Sequence, residues 1–271
     1  MTDRATIASA GLEYVGLMAL AWDPLRGDTS DWEDRRWFLD LVGARGQPVL
    51  DVGCGTGRIL LDFLALGIDV DGLEISADML AICRAKAAGA GLDVSDRLFQ
   101  QPMEAMDLPR RYRTIIVPSS SFQLVLDAGA AAETMRRFRR HLEPGGTLAL
   151  PFYAYDRPDD ETWTEEAELP DGSRIRRTSR AWVDPAARLE HTDDRYELLV
   201  DGVVTATQHQ VRSPATRGYS PAEARALLDA AGFVDHEWYH EFTWEPMRPD
   251  DRLFSVVARR GTEATGPGAR G

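Results

Sequence analysis

The sequence predicts a doubly wound α/β domain interrupted by an inserted antiparallel β-sheet. Three observations carry this expectation. Short apolar runs alternate with helix-period stretches from about residue 48 to 152, and strands separated by helices need crossovers, which imply a parallel sheet covered on both faces. After Pro158 the helical spacing gives way to strand-like runs joined by tight-turn signals. A capped helix and two further strand runs then close the chain.

Taken in order, the strand candidates of the first part are 49–52, 70–74, 98–100, 114–117 and 147–152, with helix-period segments such as 58–66 and 77–87 between them. The later runs 161–169, 174–183, 188–200 and 203–212 are separated by Pro170-Asp171-Gly172, Asp184-Pro185 and Asp201-Gly202, the pattern of a meander. Ser220-Pro221-Ala222-Glu223 supplies an N-cap, a proline at the first helical position and a glutamate at the third, and Gly232 closes that helix. Strand candidates 236–244 and 253–259 return to the sheet, which makes the meander an insertion. The expected organisation is a helical segment 1–47, an α/β domain 48–157 and 213–260, a β insertion 158–212, and a disordered tail 261–271 rich in Gly, Thr and Ala. The sequence has no internal repeat.

Composition narrows the function. A chain of 271 residues is one to two domains at roughly 150 residues each. No apolar run approaches the roughly 20 residues that cross a bilayer. The formal charge of −13 sets net repulsion against a nucleic-acid backbone. The expected partner is therefore a small molecule, with neither nucleic acid nor membrane, and an assembly of identical copies stays open. Lys86, the single lysine, lies in an Ala-rich helical stretch that suits neither a Schiff base nor a phosphate loop. Cys54 and Cys83 fit neither a disulfide framework nor a zinc site, so no metal is expected, and without a basic-then-apolar leader the expected location is cytoplasmic.

The strongest motif is Val49-Leu50-Asp51-Val52-Gly53-Cys54-Gly55-Thr56-Gly57-Arg58, a buried strand running into a glycine turn and then a helix. A dinucleotide fingerprint would place its third glycine at Arg58, so the spacing argues against NAD. Asp51 offers a carboxylate to an ammonium group, and Glu74, ending the second strand in Leu73-Glu74-Ile75-Ser76, can take both hydroxyls of a ribose.

On these residues the chain resembles the class I S-adenosylmethionine-dependent methyltransferases, whose first motif is matched by Asp51, Gly53, Gly55 and Gly57 and whose ribose acid is matched by Glu74. The resemblance continues through Asp78-Met79-Leu80, Pro118-Ser119-Ser120-Ser121-Phe122-Gln123, His141-Leu142-Glu143-Pro144-Gly145-Gly146 and Leu227-Leu228-Asp229-Ala230-Ala231-Gly232-Phe233, most of residues 10 to 260. It implies a Rossmann-like sheet, S-adenosylmethionine as cofactor, and cofactor contacts that also include Cys54, Arg58, Ile75, Met79, Pro118 and Ser119. Relatives carry an adenine-binding acid after the third strand, where this chain has Pro102; Gln101, through its side-chain carbonyl, and the Met103 backbone N–H are the substitutes.

The long meander resembles the small-molecule branch, which includes glycine and deoxysugar-amine N-methyltransferases and some indole C-methyltransferases and in which the inserted sheet covers the substrate. The stretch from Glu13-Tyr14 to Trp22-Asp23 is similar to their lid helix, placing Tyr14 and Trp22 at the cofactor. The implied reaction is direct in-line methyl transfer to an amine, phenol or heteroaromatic ring in specialised metabolism, with alignment contributing most. Tyr153, Tyr155, His209 and His240 are the candidate catalytic groups, each with a bland reading: an aromatic wall for the tyrosines, a solvated or hydrogen-bonded side chain for the histidines. Arg174, Arg176, Arg177 and Arg180 read as a solvated strand face. The alternatives are a cofactor-binding protein without turnover and an NAD-dependent oxidoreductase.

Overall fold

The computed structural model describes residues 13–262. Two short helices, α1 (Leu17–Leu20) and α2 (Trp22–Arg26), precede α3 (Glu33–Arg45). The α/β part then runs β1 (Val49–Val52), α4 (Leu60–Ala65), β2 (Val70–Glu74), α5 (Ala77–Gly89), β3 (Leu98–Gln100), β4 (Tyr112–Ile116), α6 (Ala128–His141) and β5 (Leu142–Tyr153). Four long strands follow, β6 (Asp159–Glu168), β7 (Arg174–Asp184), β8 (Leu189–Val200) and β9 (Val203–Arg217). The chain ends in α7 (Pro221–Ala231), β10 (Phe233–His240) and β11 (Leu253–Arg260).

The central sheet has the order β10-β11-β5-β4-β1-β2-β3, parallel from β5 to β3, with β11 antiparallel to β5 and β10 antiparallel to β11. Strand order reverses between β1 and β4, and a crevice opens at such a point beyond the carboxyl ends of the strands. Every residue of β1 and β2 is buried, as a central parallel strand covered on both faces requires. One face packs Phe122, Phe138, Phe152, Leu228 and Phe254 around α6 and α7; the other packs Trp37, Phe38, Leu41, Leu60 and Phe63 around α3 and α4. The Ser220 hydroxyl accepts from Glu223 N at 3.3 Å while the Glu223 carboxylate accepts from Ser220 N at 2.8 Å, the capping box read from the sequence. No described helix is long and apolar enough to cross a membrane.

The second sheet, β6-β7-β8-β9, is antiparallel throughout. Its inner face meets the N-terminal helices: Met18 and Ala21 pack on Leu169, Ile175 and Tyr196, with Tyr14, Leu17 and Leu25 at the margin. β9 runs past residue 212 to Arg217, because Ala215 and Thr216 are buried and Thr216 pairs with Glu190. That strand therefore carries the chain back to the central sheet without a break. The arginine run needs a correction. Arg177 shares the inner face with Ile175, where its guanidinium bonds Asp194 at 2.7 Å, because strand alternation turns it opposite to Arg176. The expected tail from 261 lies, beyond residue 262, outside the described residues.

Candidate active site at the sheet reversal

β1 delivers Asp51 to the crevice and then turns sharply. Gly53 N and Cys54 N both donate to Leu73 O, at 2.7 and 3.1 Å, which ties the glycine turn to β2. Gly53 has φ +71°, and a Cβ there would stand 2.7 Å from the Ser121 hydroxyl, so the loops after β1 and β4 can approach this closely only at glycine. Between them lies a cavity of about 330 Å³. All residues expected at the cofactor line it except Gly57. Gly57 is a packing position: a Cβ there would meet the Cys83 sulfur at 2.7 Å and Leu61 at 2.9 Å.

Two carboxylates define the chemistry of the cavity. Asp51 is 1% exposed, and its Oδ1 is buried without a hydrogen-bond partner. Burial pushes its pKa up to about 7, with Glu74 adding to the rise and Arg58 opposing it. A buried acceptor of this kind costs free energy until a donor reaches it, and the ammonium of an amino acid is such a donor. Glu74 is held at both oxygens, Oε2 accepting from Gly55 N at 3.0 Å and Oε1 from Ser76 N at 2.9 Å. Burial raises its pKa while these backbone bonds lower it, and the fixed carboxylate keeps lone pairs for two vicinal hydroxyls.

The adenine end departs from expectation. Gln101 lines the cavity, but its carboxamide is bound to the backbone of Asp107, Oε1 accepting from N at 2.7 Å and Nε2 donating to O at 3.3 Å. Its side-chain carbonyl is therefore engaged outside the cavity. Glu104, two residues after Pro102, is the acid that this loop brings to the lining. A search by motif position alone passes over it.

α2 closes the cavity from above. Trp22 and Tyr14 meet edge to face at 4.6 Å, and the Arg26 guanidinium lies 3.3 Å from the Trp22 ring centre. Asp23 fastens the helix down, accepting from the Thr56 hydroxyl at 2.6 Å and from Lys86 Nζ at 2.8 Å. The one lysine is thus a latch for the N-terminal segment. Arg58 forks onto the buried Asp34 carboxylate.

The four candidate catalytic groups separate. Tyr153 and Tyr155 stack at 6.1 Å and lie between the central sheet and the β6–β9 sheet, though neither lines the cavity. Burial pushes both hydroxyls above the usual phenol range, and Glu190 pushes Tyr155 further. His209 is an exposed side chain on the outer face of the β6–β9 sheet, bonded to Asp193. His240 bonds Asp251 at 2.7 Å on the edge strand β10. The structure brings neither histidine to the cavity.

Residues without a motif complete the surroundings. Arg212 is 8% exposed, lies 5.2 Å from the Tyr14 ring centre, and keeps buried Nε and Nη1 atoms without partners. It stands 3.6 Å from Asp194, which Arg177 also holds. Arg26 is lowered from its usual pKa by burial, with Arg177 and Arg58 adding to the effect. For Arg177 and Arg212 the sequence signal is strand parity, which becomes readable once Ile175 and Tyr196 mark the inner face.

Comparison with known proteins agrees with this geometry. Residues 49–146 match the methyltransferase domain family. A protein of Geobacillus sp. (strain WCH70) named as a methyltransferase is 29% identical over 228 residues, 82% of this chain and 88% of its own length. The dTDP-3-amino-3,4,6-trideoxy-alpha-D-glucopyranose N,N-dimethyltransferase of Streptomyces venezuelae is 29% identical over 148 residues, 53% of this chain and 60% of that enzyme. Among solved structures, the sugar N-methyltransferase KedS8 of Streptoalloteichus shares the fold, with a TM-score of 0.73 at 23% identity over 96% of this chain and 98% of that one.

Proposed function

This chain is a class I S-adenosylmethionine-dependent methyltransferase acting on a small molecule, and from that premise we propose that its acceptor is an amine. Within the cavity, Asp51 takes the ammonium of the cofactor's amino acid and Glu74 the ribose hydroxyls, with Glu104 and the Met103 N–H at the adenine. S-adenosylmethionine supplies a methyl group already activated by its sulfonium. The protein's share is then to align the acceptor and exclude water, which α1, α2 and the β6–β9 sheet do as a cover.

One observation carries the choice of amine. No histidine lines the cavity among the described residues, and the two tyrosine hydroxyls beside it hold their protons more tightly than free phenol does. A phenol or ring carbon gains from a base as the new bond forms, whereas an amine needs only to arrive neutral. The guanidinium groups of Arg26, Arg177 and Arg212 favour an acceptor with an anionic portion. The Streptomyces venezuelae relative is named for such a molecule, a nucleotide-linked amino sugar. This supports a role in specialised metabolism.

The reading is tested by incubating the protein with S-adenosylmethionine and dTDP-3-amino-3,4,6-trideoxy-α-D-glucopyranose beside simple amines and phenols of similar size. Methylation at nitrogen is the expected outcome. Transfer to phenols with every amine left untouched overturns the proposal.

A further inference from the structure

Resting on the amine reading, we infer that Glu190 anchors the acceptor nitrogen and so selects amines over hydroxyl acceptors. Glu190 lies on β8, on the inner face of the cover sheet, and is half-buried. Its Oε2 accepts from the Thr216 hydroxyl at 2.7 Å and from the Tyr155 hydroxyl at 3.2 Å, and the two hydroxyl oxygens stand 3.0 Å apart. Both bonds end on one oxygen, so the carboxylate is fixed in direction with Oε1 left to a ligand.

The neighbourhood is deficient in positive charge. Among the nearby acids Asp34 has Arg58, and Asp194 has Arg177 and Arg212, whereas Glu241 has no ion pair among the described residues. Glu190 has no cation within ion-pair distance among the described residues. The buried Tyr153 hydroxyl lies in the field of Asp34, Glu190 and Glu241 together. Two stacked aromatic rings edged by carboxylates make a site for a cation. Tyr153 ends β5, and its backbone N donates to Gln123 Oε1 at 2.7 Å, which joins this site to the Ser121–Leu124 turn lining the cofactor cavity.

The charge requirement of the reaction fits this placement. The neutral amine, its proton already lost to water, donates its lone pair to the methyl carbon as the carbon–sulfur bond breaks and that electron pair stays on sulfur. Positive charge thereby passes from sulfur to nitrogen. A carboxylate at the nitrogen stabilises this transfer and repels a phenolate.

Glu190→Gln separates anchoring from simple bracing, because its amide oxygen still accepts from Tyr155 and Thr216 while the charge is gone. The expected result, with the dTDP-amino sugar as probe, is a fall in kcat/KM of about thirtyfold, the size of one charged hydrogen bond, with affinity for S-adenosylhomocysteine unchanged and partial recovery in Glu190→Asp. Calorimetric binding of the probe to the S-adenosylhomocysteine-loaded protein gives a readout independent of turnover. Wild type should bind and Glu190→Gln should bind at least tenfold more weakly. Equal binding by the two, no binding by either, or turnover by Glu190→Gln within twofold of wild type overturns the anchor. If wild type methylates amines while Glu190→Gln is unimpaired, the amine reading stands and only Glu190 is wrong. If it methylates only hydroxyl acceptors, both readings fall.

Discussion

At the residue scale, Asp51 has the most exacting chemistry. Its carboxyl is raised from the ordinary 3.8 to about 7 in the folded chain, so the folded state binds a proton that the unfolded state has already released between those values. Without cofactor, stability therefore falls as pH rises from about 4 to about 7 and is level above that. Binding of an ammonium demands the carboxylate, which gives cofactor affinity the opposite trend: it rises with pH to about 7 and then flattens. Calorimetry with S-adenosylhomocysteine should show proton release at pH 6, seen as an enthalpy that depends on the buffer, and none at pH 8. Asp51→Asn should abolish that dependence and weaken binding by about 2 kcal/mol, the cost of a lost charged hydrogen bond. A buffer-independent enthalpy at both pH values in wild type would show that Asp51 is not the group being ionised.

At the element scale, the cover sheet combines an apolar patch with a buried ionic one on the same inner face. Leu169, Ile175 and Tyr196 meet the N-terminal helices, while Arg177, Ser179 and Arg212 surround Asp194. Asp194 is fully buried and its Oδ2 has no hydrogen bond, so removing a guanidinium partner leaves charge that water cannot reach. Arg177→Met should lower unfolding stability by about 3 kcal/mol, and Arg177→Met with Asp194→Leu should recover most of it, because loss of one partner costs more than loss of both. Chemical denaturation of the three proteins decides the point; a double variant no more stable than the single one would mean that the arginine contributes by packing.

At the scale of the whole molecule, the N-terminal segment belongs to both sheets. Asp23 fastens α2 to Thr56 and Lys86 of the cofactor domain, and Met18 and Ala21 of the same segment enter the core of the cover. Opening the cavity thus requires breaking the Asp23 bonds, the bonds of Tyr14 and Gly16 to Ser76 and Asp78 and those of Val15 and Leu17 to Gln208, and peeling one small apolar contact, while the two large clusters of the central sheet stay intact. Met18→Asp should raise hydrogen exchange in residues 167–198 and weaken cofactor retention, with protection in β1, β2 and β4 unchanged. Uniform loss of protection through both sheets would show that the cover and the central domain unfold as one.

The sequence by itself determined the elements and the cofactor end of the site. The bounds of β1, β2 and β3 agree with the sequence reading to the residue, because turn residues flank each short run. The glycine spacing and the acids Asp51 and Glu74 were legible because a backbone that approaches a ligand closely tolerates few residue types at each position. Tertiary structure decided the rest. Glu104 reaches the cavity lining two residues after Pro102, Gln101 turns away to Asp107, and His209 and His240 lie outside the cavity although their residue type suggested a base. Arg177 and Arg176 are neighbours in sequence, yet one bonds Asp194 on the inner face and the other Glu166 on the outer, a difference set by which face of the strand meets α1. The proposed acceptor end draws on Tyr155, Glu190 and Thr216, on three different strands or loops, and no local spacing records a contact between segments that meet only when the sheet folds over.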